Sequence, residues 1–147
     1  MKKVGLIGES PNDTQAILNL LRKKYQHKVH FVILLKRITG HQLDTDKFVR
    51  LLKKEWDESF DFIIYIRDLD DLETNKEKIE QRKNWFQNLE KCTIGKGIFL
   101  LNIYELEALI LADIACFNKY YGTKIPFKGD PMLKKMPKEF LQEKTQG

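Results

Sequence analysis

The sequence of 147 residues contains few of the residues that build zinc ribbons and disulfide frameworks. It has two cysteines, Cys92 and Cys116, and three histidines without an HxxxH or HExxH pattern. Two widely separated cysteines are too few for either kind of framework, and the histidines give no support to a His-based metal site. We therefore expect the cysteines to be core or half-buried residues in a reducing compartment, with the cytoplasm as the location.

Long apolar runs are also lacking. The longest stretches, Val29–Leu35 and Leu106–Phe117, are interrupted by polar residues, and neither approaches the length of a membrane-spanning helix. The apolar run near the N-terminus, Val4–Ile7, is too short for a secretory signal. The sequence therefore predicts a protein without a membrane partner.

What the sequence does have is the composition of one folded domain. Hydrophobic residues make up 42% and aromatic residues 11%, which excludes intrinsic disorder. The 26 basic and 21 acidic residues give a net charge of +5. This mildly basic balance permits a polyanionic partner such as nucleic acid but does not require one.

Short apolar segments alternate with helical segments along the chain. Helix starts are expected at Ser10, at Asp44 or Thr45 and at Thr74, and a last strong helix is expected from Glu105 to about Tyr120. This alternation predicts an α/β fold: a compact Rossmann-like parallel sheet of about four strands with helices on both faces. The α/β domain is expected over residues 1–125, followed by a partly irregular C-terminal extension over residues 126–147. The four predicted strands are Val4–Gly8, Val29–Leu35, Phe60–Ile66 and Ile98–Tyr104.

Acidic residues follow three of the four predicted strands. Ligands of parallel sheets gather beyond the carboxyl ends of the strands, so these side chains are expected at one edge of the sheet. Two basic residues, Lys36 and Arg37, follow the second strand and are candidates for phosphate binding. The acidic residues are Glu9, Asp68, Asp70, Asp71, Glu105 and Glu107.

Carboxylates placed together repel one another, and such a cluster usually needs a cation. Oxygen ligands without His or Cys suit a hard ion such as Mg²⁺ or Mn²⁺. An ion held by few carboxylates keeps positions open for water and for phosphate oxygens. The pattern therefore indicates a metal-dependent phosphoryl-transfer site.

Purely structural roles are open for several of these residues. Asp71 is well placed to cap a helix, and Glu105 to occupy the first turn of one. Lys36 and Arg37 are equally compatible with a solvated strand end. Glu9 and the Asp68-x-Asp70 pair are harder to explain structurally, because two carboxylates directly after a buried strand are costly without a partner.

A Glu that closes the first strand, followed two strands later by Asp68-x-Asp70, resembles the Toprim (topoisomerase–primase) domain. The segment Tyr104–Asp113 resembles the E-x-E-A-W-L-L-A-D signature of a bacterial Toprim-like branch associated with abortive infection and with OLD- and RloB-type defence systems. Leu109 stands where that signature usually has Trp. The segment Gly129–Lys134 is similar to the D-P-K-x-x-L segment of the same branch.

The resemblance implies a role for each matching residue. Glu9 would be the general acid/base and a further metal ligand, and Asp68 with Asp70 would hold Mg²⁺ or Mn²⁺. Three further carboxylates, Asp71, Glu105 and Glu107, would be supplementary. The implied activity is that of a nuclease in phage defence, acting on DNA rather than RNA, with an ATPase as partner protein.

Two other classes of function are compatible with the sequence. One is a non-catalytic Toprim-like module that binds nucleic acid or a partner protein. The other is a receiver- or flavodoxin-like signalling domain with Asp68 as phosphoacceptor. A receiver normally has an acidic pair after its first strand and a Lys after a fifth strand, whereas this chain has Glu9 alone and no clear fifth strand.

Overall fold

The predicted apolar segments form a parallel sheet in the computed structural model of the protein, which describes residues 1–145. Over this range the sheet has four strands in the order β2-β1-β3-β4 and is flanked by helices, which confirms the predicted α/β fold class. In the register, Leu6 pairs with Ile33 and Gly8 with Ile66. The strands are β1 (Lys2–Gly8), β2 (Val29–Ile33), β3 (Phe62–Asp68) and β4 (Gly97–Asn102).

The helices begin where side chains can accept backbone N–H groups. Ser10 Oγ accepts the N–H of Asp13 at the start of α1, and Thr45 Oγ1 accepts that of Phe48 at the start of α3, so both predicted caps are confirmed. The helices are α1 (Pro11–Tyr25), α2 (Gly40–Leu43), α3 (Asp46–Glu55), α4 (Lys76–Glu90), α5 (Glu107–Ala112), α6 (Ile114–Tyr121) and α7 (Pro137–Thr145), with a 3₁₀ turn at Pro131–Leu133.

Two expectations about helix starts and extent are wrong. The helix expected from Glu105 to about Tyr120 is two helices, because the backbone leaves the helical region at Asp113 (φ −130°, ψ 54°). The Asp113 side chain then accepts the N–H of Cys116 and caps α6. The start expected at Thr74 lies one residue later, where Asn75 Oδ1 accepts the N–H of Lys78.

The chain divides into two compact units. Unit 1 consists of Met1–Arg67 and Gln81–Leu101, and unit 2 consists of Asp68–Glu80 and the chain from Asn102 onward. The core of unit 1 includes fully buried Phe48, Leu52, Ile63 and Tyr65. Burial raises the pKa of Tyr65 to about 12.

Unit 2 has a smaller core of its own. Leu111, Ile125 and Leu141 are buried there, and partly buried aromatic residues such as Phe117 and Phe140 pack against them. Among the described residues, no helix is both long and apolar enough to cross a membrane.

Candidate functional site

Glu9 lies directly after β1 and forms an ion pair with Arg67 of β3. Arg67 Nε is 3.0 Å from Glu9 Oε1, and the arginine side chain is only 4% exposed. A buried guanidinium requires a compensating charge, because desolvating an unpaired ion costs several kcal/mol by a rough estimate. Glu9 therefore balances the charge of Arg67 inside unit 1.

Arg67 also holds a second carboxylate, that of Asp44. Its Nη1 and Nη2 donate to Asp44 Oδ1 and Oδ2 at 2.7 and 2.6 Å, which is a bidentate contact. The hydrogen bonds from Arg67 are the main reason that the pKa of Asp44 lies below its usual value. One guanidinium thus bridges two carboxylates from different segments of unit 1.

Neighbouring residues hold Arg67 and Glu9 in place. The guanidinium carbon of Arg67 lies 4.6 Å from the centroid of the Trp85 ring, and Trp85 Nε1 donates to the carbonyl of Leu43 at 3.0 Å. A Cβ atom at Gly40 would lie 3.3 Å from Glu9 Oε2, so a larger residue there would crowd the carboxylate. Sequence reasoning gave no role to Arg67 or Trp85 and considered Asp44 only as a helix cap, although a cation directly after an apolar strand is a signal that a carboxylate lies nearby.

Asp68, the last residue of β3, is oriented within unit 2 by Asn102. Asn102 is 7% exposed, and its Nδ2 donates to Asp68 Oδ1 at 2.8 Å. The carbonyl of Asn102 accepts the N–H of Leu69 at 2.9 Å. Asn102 was not among the predicted site residues, and its signal is a polar side chain inside the apolar run of β4.

The turn that carries Asp70 has an unusual backbone. Asp70 and Tyr104 have φ values of 53° and 60°, in the left-handed region that non-glycine residues seldom adopt. The N–H of Asp70 donates to the carbonyl of Tyr104 at 2.9 Å, and the N–H of Tyr104 donates to that of Asp71 at 3.0 Å. Lys78 Nζ donates to the carbonyl of Asp70 at 2.9 Å. These contacts bring the Asp70 turn beside the residue that precedes Glu105.

The carboxylate of Asp71 is engaged locally. Its Oδ1 accepts the N–H of Leu72, and its Oδ2 accepts Asn75 Nδ2, both at 2.7 Å. The hydrogen bond from Asn75, followed by that from Leu72, lowers the pKa of Asp71. Both oxygens thus bind within the turn before α4, and the helix itself is capped by Asn75 and not by Asp71.

Glu105 and Glu107 lie at the start of α5. Glu105 Oε2 accepts the N–H of Lys138 at 3.4 Å. Burial is the main reason that the pKa of Glu105 is raised, and the charges of Glu139 and Glu107 add to it. Glu107 is half-buried in the first turn of the helix.

The two predicted phosphate-binding residues, Lys36 and Arg37, belong to unit 1. Both are exposed in the segment that follows β2. The predicted site residues are therefore distributed over both units: Glu9, Lys36 and Arg37 in unit 1, and Asp68, Asp70, Asp71, Glu105 and Glu107 in unit 2.

The donor chemistry of these residues suits a hard cation, but a complete protein ligand shell is not formed. Within residues 1–145, no three His, Cys, Asp or Glu side chains are grouped to hold one ion. Mg²⁺ is commonly held by one or two carboxylates, with water and substrate phosphate completing its shell. Asp68, the last residue of β3, and Asp70, two residues further along the chain, have the donor chemistry for that sparser kind of site.

Comparisons of this chain with protein-family models, with curated proteins and with solved structures find no match. The resemblance to Toprim domains rests on the motifs described above.

Proposed function

We propose that this protein is a Mg²⁺- or Mn²⁺-dependent phosphoryl-transfer enzyme that cleaves nucleic acid, DNA rather than RNA. The observation that supports the proposal is the position of the acidic residues in an all-parallel sheet. Glu9 directly follows β1, and Asp68 is the last residue of β3. Carboxyl ends of parallel strands are where α/β folds bind their ligands.

In this proposal Asp68 and Asp70 hold the ion, and Asn102 keeps Asp68 in one orientation through the 2.8 Å hydrogen bond. A bound divalent ion supplies charge compensation to the phosphodiester. Glu9 takes or gives the proton at the attacking or leaving oxygen. Lys36 and Arg37 contribute positive charge for the phosphate backbone.

The defence setting and the ATPase partner belong to the same proposal. They are supported by the resemblance of the Tyr104–Asp113 segment to the abortive-infection branch of Toprim-like proteins.

A second candidate, a module that binds nucleic acid or a protein without cleaving, is favoured by the contacts of Glu9. Its Oε1 lies 3.0 Å from Arg67 Nε, so its charge is already balanced within the protein. A carboxylate with this role is structural, and the fold would then present a surface rather than a catalytic group.

The metal is tested first by thermal unfolding. Mn²⁺ and Mg²⁺ should raise the Tm of the wild-type protein, because an ion that binds only the native state stabilises it by mass action. The double variant Asp68→Ala/Asp70→Ala should lose this rise, whereas Asp46→Asn, which removes an exposed carboxylate of α3, should keep it. A rise that is unchanged in the double variant would remove these residues from the site.

Cleavage is tested on supercoiled plasmid, single-stranded DNA and RNA with Mn²⁺. We expect Glu9→Gln to keep the metal-induced rise in Tm and to lose cleavage by about 10²–10⁴-fold, the range for removing one general acid/base. Asp68→Asn should lose both the metal-induced rise in Tm and the cleavage. Equal cleavage by Glu9→Gln and wild type would contradict the role of Glu9.

Binding without cleavage identifies the second candidate. Affinity for nucleic acid should fall steeply with salt, since each phosphate contact releases a counterion, and Lys36→Ala/Arg37→Ala should reduce this slope. A wild-type protein that binds in this way and cleaves none of the three substrates with Mn²⁺ would be a binding module.

A further inference from the structure

Unit 1 contains a cavity of about 520 Å³ beyond the end of β2. Its walls come from the segment 33–38, which ends β2 and follows it, and from positions within 42–55 of α2 and α3. The volume falls in the range of roughly 300–1,000 Å³ that is typical of small-molecule sites. The apolar part of the wall consists of Ile33, Leu35, Ile38, Phe48 and Leu51.

Three cations, Lys36, Arg37 and Lys47, line the same cavity and are exposed. In the part of the chain that the structure describes, none of the three forms an ion pair. The carboxylate among the lining residues is that of Glu55, whose Oε2 accepts the N–H of Leu35 at 2.8 Å. The cavity therefore carries a surplus of two positive charges beside an apolar wall.

The backbone at the cavity is held in an uncommon conformation. Leu35 has a φ of 50°, in the left-handed region that a bulky side chain rarely adopts. Its N–H is bound by Glu55, and its carbonyl accepts the N–H of Ile38 at 3.0 Å. These bonds fix the turn from which Lys36 and Arg37 extend, and strained turns of this kind concentrate at ligand sites.

We propose that this cavity binds a phosphomonoester with an apolar body. A phosphomonoester carries about 1.5 to 2 negative charges at neutral pH, which matches the surplus of positive charge. Lys36, Arg37 and Lys47 neutralise the phosphate, and the body packs on the apolar wall. A nucleotide and a lipid phosphate share this chemistry. The site shares Lys36 and Arg37 with the proposed binding of nucleic acid, but it uses neither a metal nor Asp68 and Asp70.

The test is isothermal titration of the full chain at low salt without metal, with AMP, hexyl phosphate, inorganic phosphate and adenosine as probes. At least one of the two organic phosphates should bind saturably and at least tenfold more tightly than inorganic phosphate. Adenosine should bind more weakly than AMP, because it lacks the charge. The tighter binder of AMP and hexyl phosphate then shows whether the apolar body is a nucleoside or an alkyl chain.

Variants show where the probe binds. Lys36→Ala/Arg37→Ala should weaken binding by on the order of tenfold or more, since it removes two charge-assisted contacts. Lys53→Ala/Lys54→Ala removes the same charge from the last turn of α3, outside the cavity, and should bind as wild type does. Equal loss in both double variants would reduce the effect to net charge and overturn the proposal.

A variant of the apolar wall tests whether the body of the ligand packs on that wall. Leu51→Glu places a carboxylate on the wall and should abolish binding of both organic phosphates, with the unfolding midpoint reporting whether the fold is kept. If Leu51→Glu fails to fold, the affinities of the wild-type protein for AMP and hexyl phosphate, compared with that for inorganic phosphate, still test whether the apolar body contributes to binding. Inorganic phosphate binding as tightly as AMP and hexyl phosphate, or no saturable binding of either, would overturn the site. Asp68→Asn should bind as wild type does, so a failure here is distinct from a failure of the nuclease proposal.

Discussion

Two carboxylates of unit 1, those of Glu9 and Asp44, differ from two of unit 2, those of Asp71 and Glu105, in the groups that bind them. Glu9 and Asp44 in unit 1 share the guanidinium of Arg67, a full positive charge that is almost completely buried. In unit 2, Asp71 and Glu105 accept hydrogen bonds from backbone N–H groups, and Asp71 also accepts one from a side-chain amide. Glu9 and Asp44 are thus bound by an opposite charge, whereas Asp71 and Glu105 are bound by neutral donors.

This difference determines what each set of carboxylates can do. A guanidinium cancels the charge of its partners, so a carboxylate bound to it is poorly suited to attract a further cation. A neutral donor fixes the orientation of a carboxylate but leaves its charge. The contacts of Arg67 with Glu9 and Asp44 are therefore expected to contribute more to stability than the hydrogen bonds of Asp71 and Glu105.

The largest effect is expected from removing Arg67. Arg67→Met leaves Glu9 and Asp44 without their shared cation and should lower the free energy of unfolding by about 2–3 kcal/mol, because hydrogen bonds to charged groups are lost while the remaining carboxylates are partly exposed. Urea denaturation measures this loss. Arg67→Lys keeps the positive charge but cannot form the bidentate contact. Its free energy of unfolding should lie between those of wild type and Arg67→Met. A loss below about 0.5 kcal/mol, typical of surface changes, would show that the pair is not structural.

A smaller effect is expected from removing the amide of Asn102. Asn102→Ala should lower the free energy of unfolding by about 1–2 kcal/mol, because a buried donor and its hydrogen bond to Asp68 are lost. It should also reduce the Mn²⁺-induced rise in Tm, since Asp68 is then less well oriented. Asn19→Ala, which removes an exposed amide from α1, is the control and should change neither quantity appreciably. If both variants behave alike, Asn102 does not position Asp68.

Acid should weaken the contact between Arg67 and Asp44. Because the pKa of Asp44 is lowered in the folded protein, its contribution to stability is present above the unfolded value of about 3.8 and is lost as the pH falls through the folded value. The free energy of unfolding of Asp44→Asn should therefore fall less than that of wild type on acidification from pH 5. If the free energies of unfolding of the two proteins fall in parallel with pH, Asp44 does not make this contribution.

The smallest effect, and one of opposite sign, is expected at Glu105. Its raised pKa means that the folded protein holds the proton more tightly, so stability declines as the pH rises from 4.5 through the folded pKa. Glu105→Gln removes this decline and should be slightly more stable than wild type at pH 7, with the difference vanishing below pH 4.5. Gln142→Ala, an exposed change on α7 that leaves Glu105 in place, should keep the decline of wild type.

The sheet could be predicted from the sequence because its strands are short apolar runs bounded by polar residues and turns. The helix starts at Ser10 and Thr45 were also predictable, since capping depends on residues three positions apart. The break at Asp113 was not, because apolar residues continue on both sides of it. There the side chain of Asp113 caps a new helix in the middle of an apolar stretch.

The partners of the candidate site residues were less predictable than their positions. Strand ends follow from the local pattern, so Glu9 and Asp68 could be singled out. Which side chain meets Glu9 depends on the register of β1 and β3, in which Gly8 lies opposite Ile66, the residue before Arg67. The pairing of Asp68 with Asn102 likewise depends on two distant segments, and no local pattern specifies it.

The left-handed backbone of Asp70 and Tyr104 has a consequence for the order in which the protein assembles. Each residue is held in this conformation by a hydrogen bond to the other's segment, and the two segments are far apart in the chain. The turn after β3 therefore cannot settle until Tyr104 has been brought alongside it, since neither segment favours this conformation alone. Bringing distant segments together costs loop-closure entropy before their contacts can stabilise the chain. We therefore expect the acidic turn to order late, and its amides to exchange their hydrogens before those of the buried strands.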